Sequence, residues 1–453
     1  MNRTRITTGR TAGGLGRVRW LAAVSLALLA AGCMIKETRP QPKLTAVQAT
    51  KEIPAEQLLD VGVRLFDPGV PKEIEEQPEK GEKLRIYPDI RKAEAKYLPT
   101  LLRATLEGTG EWGAVRVVPP TARMDVDVDG RIVESTGARL TLDIAVSDST
   151  GRHWFSKRYT REPDTSAYRE GATKERDPYQ NIYVEIANDM LAYRDRLATT
   201  EVAAIPRTTR LRFGNDLAPA AFKDYLAKDR PRDGHPEYRI VRLPAENDPL
   251  VDRVDQIRQR DSAMIDTVSD HYGVFAEKLS DPYLGWRRST YDEIEAEDKV
   301  KREATTRTLL GAGAIIAGIA MPNVCGNSPT YGNYVCNAGE SVARAGAVTG
   351  GVMAVISGFE KSKQAQIHTD AIKEITGSFQ SEAAPLVVDV QGRTLKLTGS
   401  AESQYAEWRR LLHDLYEAET GISADPATPA DGHPAAAPAA APAAPVPPVK
   451  DKT

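Results

Sequence analysis

The chain has 453 residues, a formal net charge of -3 and an isoelectric point near 6.2. Proteins that bind nucleic acids usually carry a basic face, so this balance argues against nucleic acid as a partner. Charged residues make up 27% of the chain and mix both signs, and the length leaves room for two or three domains.

The first 32 residues have the composition of a secretory signal peptide. A basic start leads into an apolar run from Trp20 to Ala31, and small residues precede Cys33. The stretch Leu28-Leu29-Ala30-Ala31-Gly32-Cys33 resembles a bacterial lipobox, with Ala30 where leucine is usual. This resemblance implies cleavage before Cys33 and a diacylglyceryl thioether on its sulfur. The residue after the cysteine is Met34 instead of aspartate, and for this reason the resemblance also implies sorting to the periplasmic face of the outer membrane.

Two other interpretations of this segment stay open. A plain transmembrane anchor would need about 20 apolar residues, more than the run supplies. A cleaved signal followed by an incidental cysteine is the other. In an exported protein, the two remaining cysteines, Cys325 and Cys336, are predicted to form a disulfide, because the compartment is oxidising.

Residues 33–56 are polar and proline-containing, and they are predicted to form a tether. Residues 57–200 show the element order β-α-β-β-β-β-α, which predicts one α+β layer domain. Its first helix is predicted over 89–107, where Pro99 either kinks the helix or marks its true start. The charged segment 71–83 is predicted to be a loop.

This predicted domain resembles the periplasmic domain of several bacterial envelope lipoproteins. That group includes curli-secretion lipoproteins, activators of peptidoglycan synthases, polysaccharide-export lipoproteins and transport auxiliaries. The resemblance rests on the order of four stretches: Tyr97 to Leu102, Trp112 to Pro119, Val126 to Glu134, and Asp148 to Trp154. It implies docking to partner proteins without chemistry.

The second half of the chain is predicted to be mostly helical. Residues 201–246 form a mixed connector, and 247–384 form a helical region. Within it, apolar residues at three- and four-residue steps predict a helix from Pro249, broken at Asp281-Pro282, and a second helix from Ser289. Alternating residues predict a β-hairpin and a helix over 385–421, and the Ala/Pro-rich residues 422–453 are predicted to be disordered.

Two apolar runs rich in glycine and alanine predict a helical hairpin over 309–358, with Cys325 and Cys336 near its tip. Small residues four apart, such as Gly346 and Gly350, let helices approach closely. Each run gives about 18–21 Å of helix, short of a hydrocarbon core of about 30 Å. Burial against protein, including a second copy of the chain, therefore competes with membrane insertion.

The search for catalytic and metal-binding patterns gives no catalytic residue, no metal ligand and no cofactor. The six histidines are scattered without ligand spacing. Asp125, Asp127 and Asp129 match the start of a calcium loop, but Thr136 stands where a bidentate acid is needed. These aspartates are predicted to be solvent-facing strand positions.

The sequence therefore predicts an outer-membrane lipoprotein of the periplasmic face that acts as an adaptor or scaffold in an envelope or surface-export assembly. Its membrane contact is the lipid on Cys33, and the identity of its protein partners stays open. A protein that inserts or oligomerises through the glycine-rich hairpin is the alternative, and an envelope enzyme is third.

Overall fold

The computed structural model describes residues 42–168, 177–229, 236–245, 247–320, 366–379, 386–390 and 393–420. These residues form an α+β fold, as predicted. The strands are β1 (Val61–Arg64), β2 (Val115–Val118), β3 (Val126–Ser135), β4 (Leu140–Asp148), β5 (His153–Arg161), β6 (Leu226–Asp229), β7 (Glu237–Ile240), β8 (Leu386–Val390) and β9 (Arg393–Leu397). The helices are α1 (Lys72–Glu76), α2 (Glu79–Leu84), α3 (Pro88–Glu107), α4 (Gln180–Arg194), α5 (Thr199–Leu217), α6 (Pro219–Phe222), α7 (Pro249–Ala320), α8 (366–379) and α9 (Ala401–Thr420).

The main sheet has the order β2-β1-β3-β4-β5. Strand β1 runs parallel to β2 and β3, and β3, β4 and β5 are antiparallel neighbours. Because side chains alternate across a strand, one face of the sheet collects the apolar residues and packs on α3 and α4. The residues of this interface that are at most 1% exposed are Val126, Val128, Leu142, Ile144, Val146, Leu98, Leu102, Ile182 and Ile186.

Pro99 lies inside α3 without ending it. Proline has no N–H, so the carbonyl of Ala95 one turn earlier loses its helical donor. That carbonyl instead accepts a hydrogen bond from the backbone N–H of Phe66, at 2.9 Å. The proline thus frees an acceptor that joins the helix to the chain just after β1.

The predicted loop 71–83 is wrong, because α1 and α2 occupy most of it. Ile74, the apolar residue of α1, is 3% exposed and attaches this charged segment to the body. The predicted connector also begins with an unpredicted element, α5, which contains Pro206 and Gly214. A β-carbon on Gly214 would lie 2.6 Å from the ring of Phe222, so tight packing overrides the low helix propensity of glycine.

Helix α7 is continuous over 72 residues, a length of about 108 Å. The predicted break at Asp281-Pro282 is wrong, since Pro282 lies inside the helix. The carbonyl released by Pro282 belongs to Lys278, an exposed residue, so water can reach it. On the next turn, Tyr283 and Trp286 are 1% and 2% exposed and hold the helix in the core.

Helix α7 covers the β2 edge of the main sheet. An edge strand leaves backbone donors without a strand partner. The N–H of Val117 donates instead to Ser269 Oγ of α7 at 3.0 Å. Beside it, Arg116 Nε donates to Asp266 Oδ1 at 2.5 Å and Nη2 to Oδ2 at 3.2 Å.

A buried ion pair joins α7 to α3, and the same arginine also binds the β3–β4 turn. Arg287 is 1% exposed and Glu94 of α3 is 0% exposed, with Arg287 Nη2 3.3 Å from Glu94 Oε1. Arg287 also donates to Ser135 Oγ at 3.0 Å and to the Thr136 carbonyl at 2.8 Å. Tyr283 donates to Glu94 Oε1 at 2.6 Å. We call these groups the Arg287 cluster.

The C-terminal elements return to α7. Phe379 of α8 stacks on His271 of α7 with ring centroids 4.2 Å apart. Strands β8 and β9 form the predicted hairpin, and the predicted cap of α9 is present, with Ser403 N donating to Ser400 Oγ at 3.2 Å. The apolar face of α9 packs on α7 and α5 through Tyr405, Trp408, Leu412 and Leu415.

Within the described ranges, no helix combines the length and the apolar composition needed to cross a membrane. Residues 309–320 are the last part of α7, while the rest of the predicted hairpin, 321–358, lies outside the described residues. The predicted disordered tail, 422–453, lies outside them as well.

Candidate functional site

The three predicted site residues, Cys33, Cys325 and Cys336, lie outside the described residues. Lipidation and the disulfide therefore stay predictions. The described structure instead offers two features that sequence reasoning did not identify: a docked N-terminal segment and a charged cleft.

Residues 42–49, which we call the strap, belong to the predicted tether but lie along α4. Asn181 and Asn188 are seven residues apart, which is two helical turns, and so share one face of α4. Each side-chain amide accepts a hydrogen bond from a strap N–H and donates one to a strap carbonyl. The partners are Leu44 N and Pro42 O for Asn181, and Val47 N and Thr45 O for Asn188, at 2.9 to 3.3 Å.

A cleft of about 280 Å³ lies where the main sheet meets α5 and α7. We call it the arginine cleft. Apolar walls come from Met124, Phe213 and Ile265. Its charged lining consists of Arg116, Arg123, Arg207, Arg210, Arg258, Glu56, Asp60, Asp125 and Asp261.

Three of the cleft arginines are neutralised by carboxylates that are not part of the lining. In each case both oxygens of one carboxylate accept from the guanidinium, a geometry that fixes the side chain. The pairs are Arg116 with Asp266, Arg123 with Asp216, and Arg210 with Asp255, at Nε–Oδ distances of 2.5, 2.7 and 2.9 Å.

The other two cleft arginines lack such a partner. Within the described parts of the chain, Arg207 has no hydrogen bond or ion pair, and it is exposed on α5. Arg258 Nε is buried without a hydrogen-bond acceptor. The carboxylate oxygen paired with it, Asp255 Oδ1, is 3.6 Å away and already accepts from Arg210.

Asp261 of α7 reaches the cleft from the core side and is 3% exposed. Its Oδ2 accepts from the Tyr405 hydroxyl at 3.2 Å and lies 3.5 Å from Arg409 Nη1. Its Oδ1 is buried, and the donor that belongs to this side chain is the Trp408 indole N–H, which is buried without another acceptor. Burial raises the pKa of Asp261, and the charge of Arg409 opposes this rise.

Asp125 is buried, with 7% exposure, so the prediction that it faces solvent is wrong. Its Oδ2 accepts from the Asp60 N–H at 2.9 Å, and its Oδ1 accepts from the Thr209 hydroxyl of α5. Burial raises the pKa of the Asp125 carboxyl to about 6, although these two hydrogen bonds act to lower it. Asp127 and Asp129 are half-buried on the strand that follows.

Asp125→Asn should remove a pH-dependent loss of stability. The folded pKa of about 6 exceeds the reference value of 3.8, so the folded state holds this proton more tightly. The protonated Asp125 carboxyl therefore contributes fully to the free energy of unfolding at low pH. This contribution is lost as the pH rises from the unfolded to the folded pKa, by about 2 kcal/mol between pH 4 and pH 6.

Denaturant titrations at several pH values would measure this effect. The stability of the variant minus that of the native chain should grow up to about pH 6 and then level off. Asp129→Asn removes the same charge outside the cleft and controls for net charge. A difference for Asp125→Asn that stays constant with pH would contradict the buried, proton-holding site.

The charged lining of the cleft allows ionic recognition of a ligand. The described lining includes no histidine or cysteine, and its hydroxyl groups come from Thr209 and Ser262. Histidines elsewhere make packing contacts, such as His271 on Phe379. In the described residues, no three or more His, Cys, Asp or Glu side chains are grouped as a metal site requires.

Sequence reasoning missed the cleft because its residues come from four separate parts of the chain. A local signal did exist, since Arg207 and Arg210 on α5, like Arg258 and Asp261 on α7, are spaced three apart and share a helix face. Which helix faces meet depends on tertiary packing, and no local pattern records that.

Comparison with known proteins adds no assignment: no family model and no curated protein matches this chain.

Proposed function

We propose that this protein is a lipid-anchored adaptor on the periplasmic face of the outer membrane and that it acts by binding other envelope proteins. The lipobox-like stretch before Cys33 supports the location. The α+β fold is compatible with the docking role that the envelope-lipoprotein resemblance implies.

The observation that carries the adaptor role is α7. The helix is fixed at the body by the Arg287 cluster and by its cover of the β2 edge, and Ile294 is its last buried residue with a described side chain. Its backbone continues as helix for 26 residues beyond Ile294, a distance of about 39 Å. A continuous helix of this length suits a protein that holds partners at a distance from a body.

A second candidate is a protein that inserts into the membrane or oligomerises through the glycine-rich hairpin. The observation in its favour is that α7 continues from Leu309 to Ala320 as helix. The first apolar run of the hairpin is therefore the end of a long helix whose other end is in the body.

Carbonate washing of membranes from cells that make Cys33→Ala separates the two candidates. We expect the native chain to stay in the membrane fraction and to incorporate labelled palmitate, and the variant to be released to the soluble periplasm. Cys325→Ala leaves the lipobox-like stretch intact and is the matched control. A Cys33→Ala chain that resists washing would contradict Cys33 as the sole anchor and favour the second candidate.

The adaptor role needs its own measurement in the same cells. A photocrosslinking residue at Glu295, which is exposed on α7, should give adducts with other envelope proteins. Adducts only between copies of this chain would favour the oligomerising candidate.

A further inference from the structure

We infer that a cavity between α3, α7 and the start of α4 binds the ammonium group of a lysine side chain on a partner protein. We call it the Tyr97 cavity. Its volume is about 430 Å³, which lies within the usual range for ligand pockets of about 300–1,000 Å³. This inference deepens the proposed function, because it rests on the adaptor role and assigns the chemistry of one partner-binding site.

The charge balance of the cavity favours a cation. Its described lining contains three carboxylates and one guanidinium, which belong to Asp177, Glu277, Asp281 and Arg287. Arg287 is already paired with Glu94 of α3, at 3.3 Å, and Glu94 also lies 3.9 Å from Arg91. When only Asp177, Glu277 and Glu94 are set against these two arginines, the carboxylates still outnumber the guanidiniums. A cavity lined by an excess of one sign of charge attracts ligands of the other sign.

Two carboxylates of the lining are available to such a ligand. Among the described residues, Asp177 and Glu277 make no ion pair. The Oδ1 atom of Asp177 accepts from the Tyr179 N–H at 2.7 Å, which leaves Oδ2 for another donor. Burial raises the pKa of Asp177, although the charge of Arg287 opposes this rise. Glu277 is exposed, so its side of the cavity is open to solvent.

Tyr97 provides a second, independent observation. It lines the cavity and is 6% exposed, and its hydroxyl makes no hydrogen bond to the residues that the structure describes. Burial raises the pKa of this hydroxyl, and the negative charge of Asp177 adds to the rise, so the two groups are near each other. A hydroxyl oxygen and a carboxylate oxygen both accept hydrogen bonds. An ammonium group between them would satisfy both acceptors.

The acceptors of the cavity distinguish an ammonium from other cations. A divalent metal ion needs several oxygen ligands around one point, and the described side chains include no group of three or more His, Cys, Asp or Glu arranged in that way. A guanidinium favours both oxygens of one carboxylate, but the Tyr179 N–H already occupies one oxygen of Asp177. An ammonium is a point charge that needs only one oxygen from each acceptor.

The apolar part of the lining fits the rest of a lysine side chain. Leu101 of α3 and Ala276 and Leu284 of α7 line the same cavity. Lysine buries its methylene stem along apolar surface and places its charge beyond it. These three residues can therefore cover the stem while the ammonium reaches Asp177 and Tyr97.

Ligand-observed NMR titration of the purified full-length chain tests this inference. The probe is acetyl-lysine methylamide, and the control is acetyl-norleucine methylamide, which has the same stem without the charge. We expect the lysine probe to bind in the millimolar range and the norleucine compound to bind at least about tenfold more weakly, because a charge-assisted hydrogen bond contributes at least that factor. Equal binding of the two compounds, or no binding of the lysine probe at about 50 mM, would overturn the inference.

Two further probes test the choice of cation and its source. Acetyl-arginine methylamide should bind more weakly than the lysine probe, because the bidentate contact is blocked. The free diamine 1,5-diaminopentane should bind no more tightly than the lysine probe. Tighter binding of the arginine compound would overturn the ammonium, and a diamine at least about tenfold tighter would replace the partner protein with a free amine.

Variants of the lining locate the site. Asp177→Asn keeps an acceptor for the Tyr179 N–H and removes the charge, so it should weaken binding of the lysine probe about tenfold. Tyr97→Phe should weaken it about fivefold, and Glu277→Gln about threefold, because an exposed ion pair contributes less. Glu293→Gln, exposed on α7 and outside the described lining, should leave binding unchanged. If Asp177→Asn or Tyr97→Phe lowers the thermal midpoint, Glu277→Gln decides, and an equal loss for Glu293→Gln would overturn the assignment.

These outcomes are independent of the membrane test. A chain that is released by Cys33→Ala substitution but does not bind the lysine probe keeps the proposed location and loses this site. A chain that binds the probe but resists carbonate washing as Cys33→Ala keeps this site and contradicts the sole lipid anchor.

Discussion

Replacing Arg287 with methionine should lower the free energy of unfolding by about 3 kcal/mol, because loss of one partner leaves a buried charge with only a weaker ion pair. The charge left behind is Glu94, which is 0% exposed and whose remaining ion pair, from Oε2 to Arg91 Nε, is 3.9 Å long. Methionine roughly keeps the apolar volume of the arginine stem, so the loss measures the ionic and hydrogen-bonding contacts more than a cavity. Urea unfolding monitored by tryptophan fluorescence reports it directly, since Trp286 is adjacent and buried.

Arg288 provides the matched control. It follows Arg287 on the same helix and is only half-buried, so Arg288→Met should change stability by less than about 0.5 kcal/mol. Adding Glu94→Leu to Arg287→Met should recover part of the loss, because a buried pair replaced by apolar residues is often neutral. A double variant no more stable than Arg287→Met would show that the loss comes from packing, or from Arg91 left without Glu94, rather than from the buried charge of Glu94.

Gly137→Ala should separate α7 from the β3–β4 turn and lower the free energy of unfolding by about 3 kcal/mol. A β-carbon at Gly137 would lie 2.1 Å from the Arg287 carbonyl oxygen and 2.3 Å from the Tyr291 nitrogen. Both are backbone atoms, so no side-chain rotation relieves the overlap. Hydrogen exchange should also speed up for the α7 amides that face the turn.

Gly273→Ala is the control for this substitution. Gly273 lies in the same helix, and the nearest atom to a β-carbon there is Arg103 Nη1 at 4.0 Å. Alanine in a helix interior should therefore stabilise the chain by about 0.5–1 kcal/mol. If both alanine variants had the same effect, close approach at Gly137 would not be what holds the turn to α7.

The periodicity of apolar residues predicted the strands and helices that have one face toward a core. Alternation in β4 and three- and four-residue spacing in α3 and α9 are sufficient to place them, because one side of each faces a core. Pro282 shows the limit of such reasoning. A proline usually interrupts a helix, yet Tyr283 and Trp286 bury the following turn and hold the helical path.

The sites were harder to predict than the elements. Asp125 alternates with Asp127 and Asp129 as surface residues do, but α5 covers the first of them through Thr209. The strap was also unpredictable, because asparagines 181 and 188 bind backbone groups, which any sequence would offer. Contacts to backbone leave no trace in the sequence of the bound segment.

The contact between the strap and α4 limits how far that part of the body can lie from Cys33. Nine peptide units separate Cys33 from Pro42, and whatever path they take they cannot span more than about 32 Å. With the lipid on Cys33, as proposed, the point where the strap meets α4 lies within a zone beside the membrane that is about as deep as a bilayer is thick. Helix α7, at about 108 Å, is more than three times longer than that limit. A ligand that binds beside the strap would therefore be met near the membrane surface, whereas α7 is long enough for a partner at its far end to be met well outside that zone.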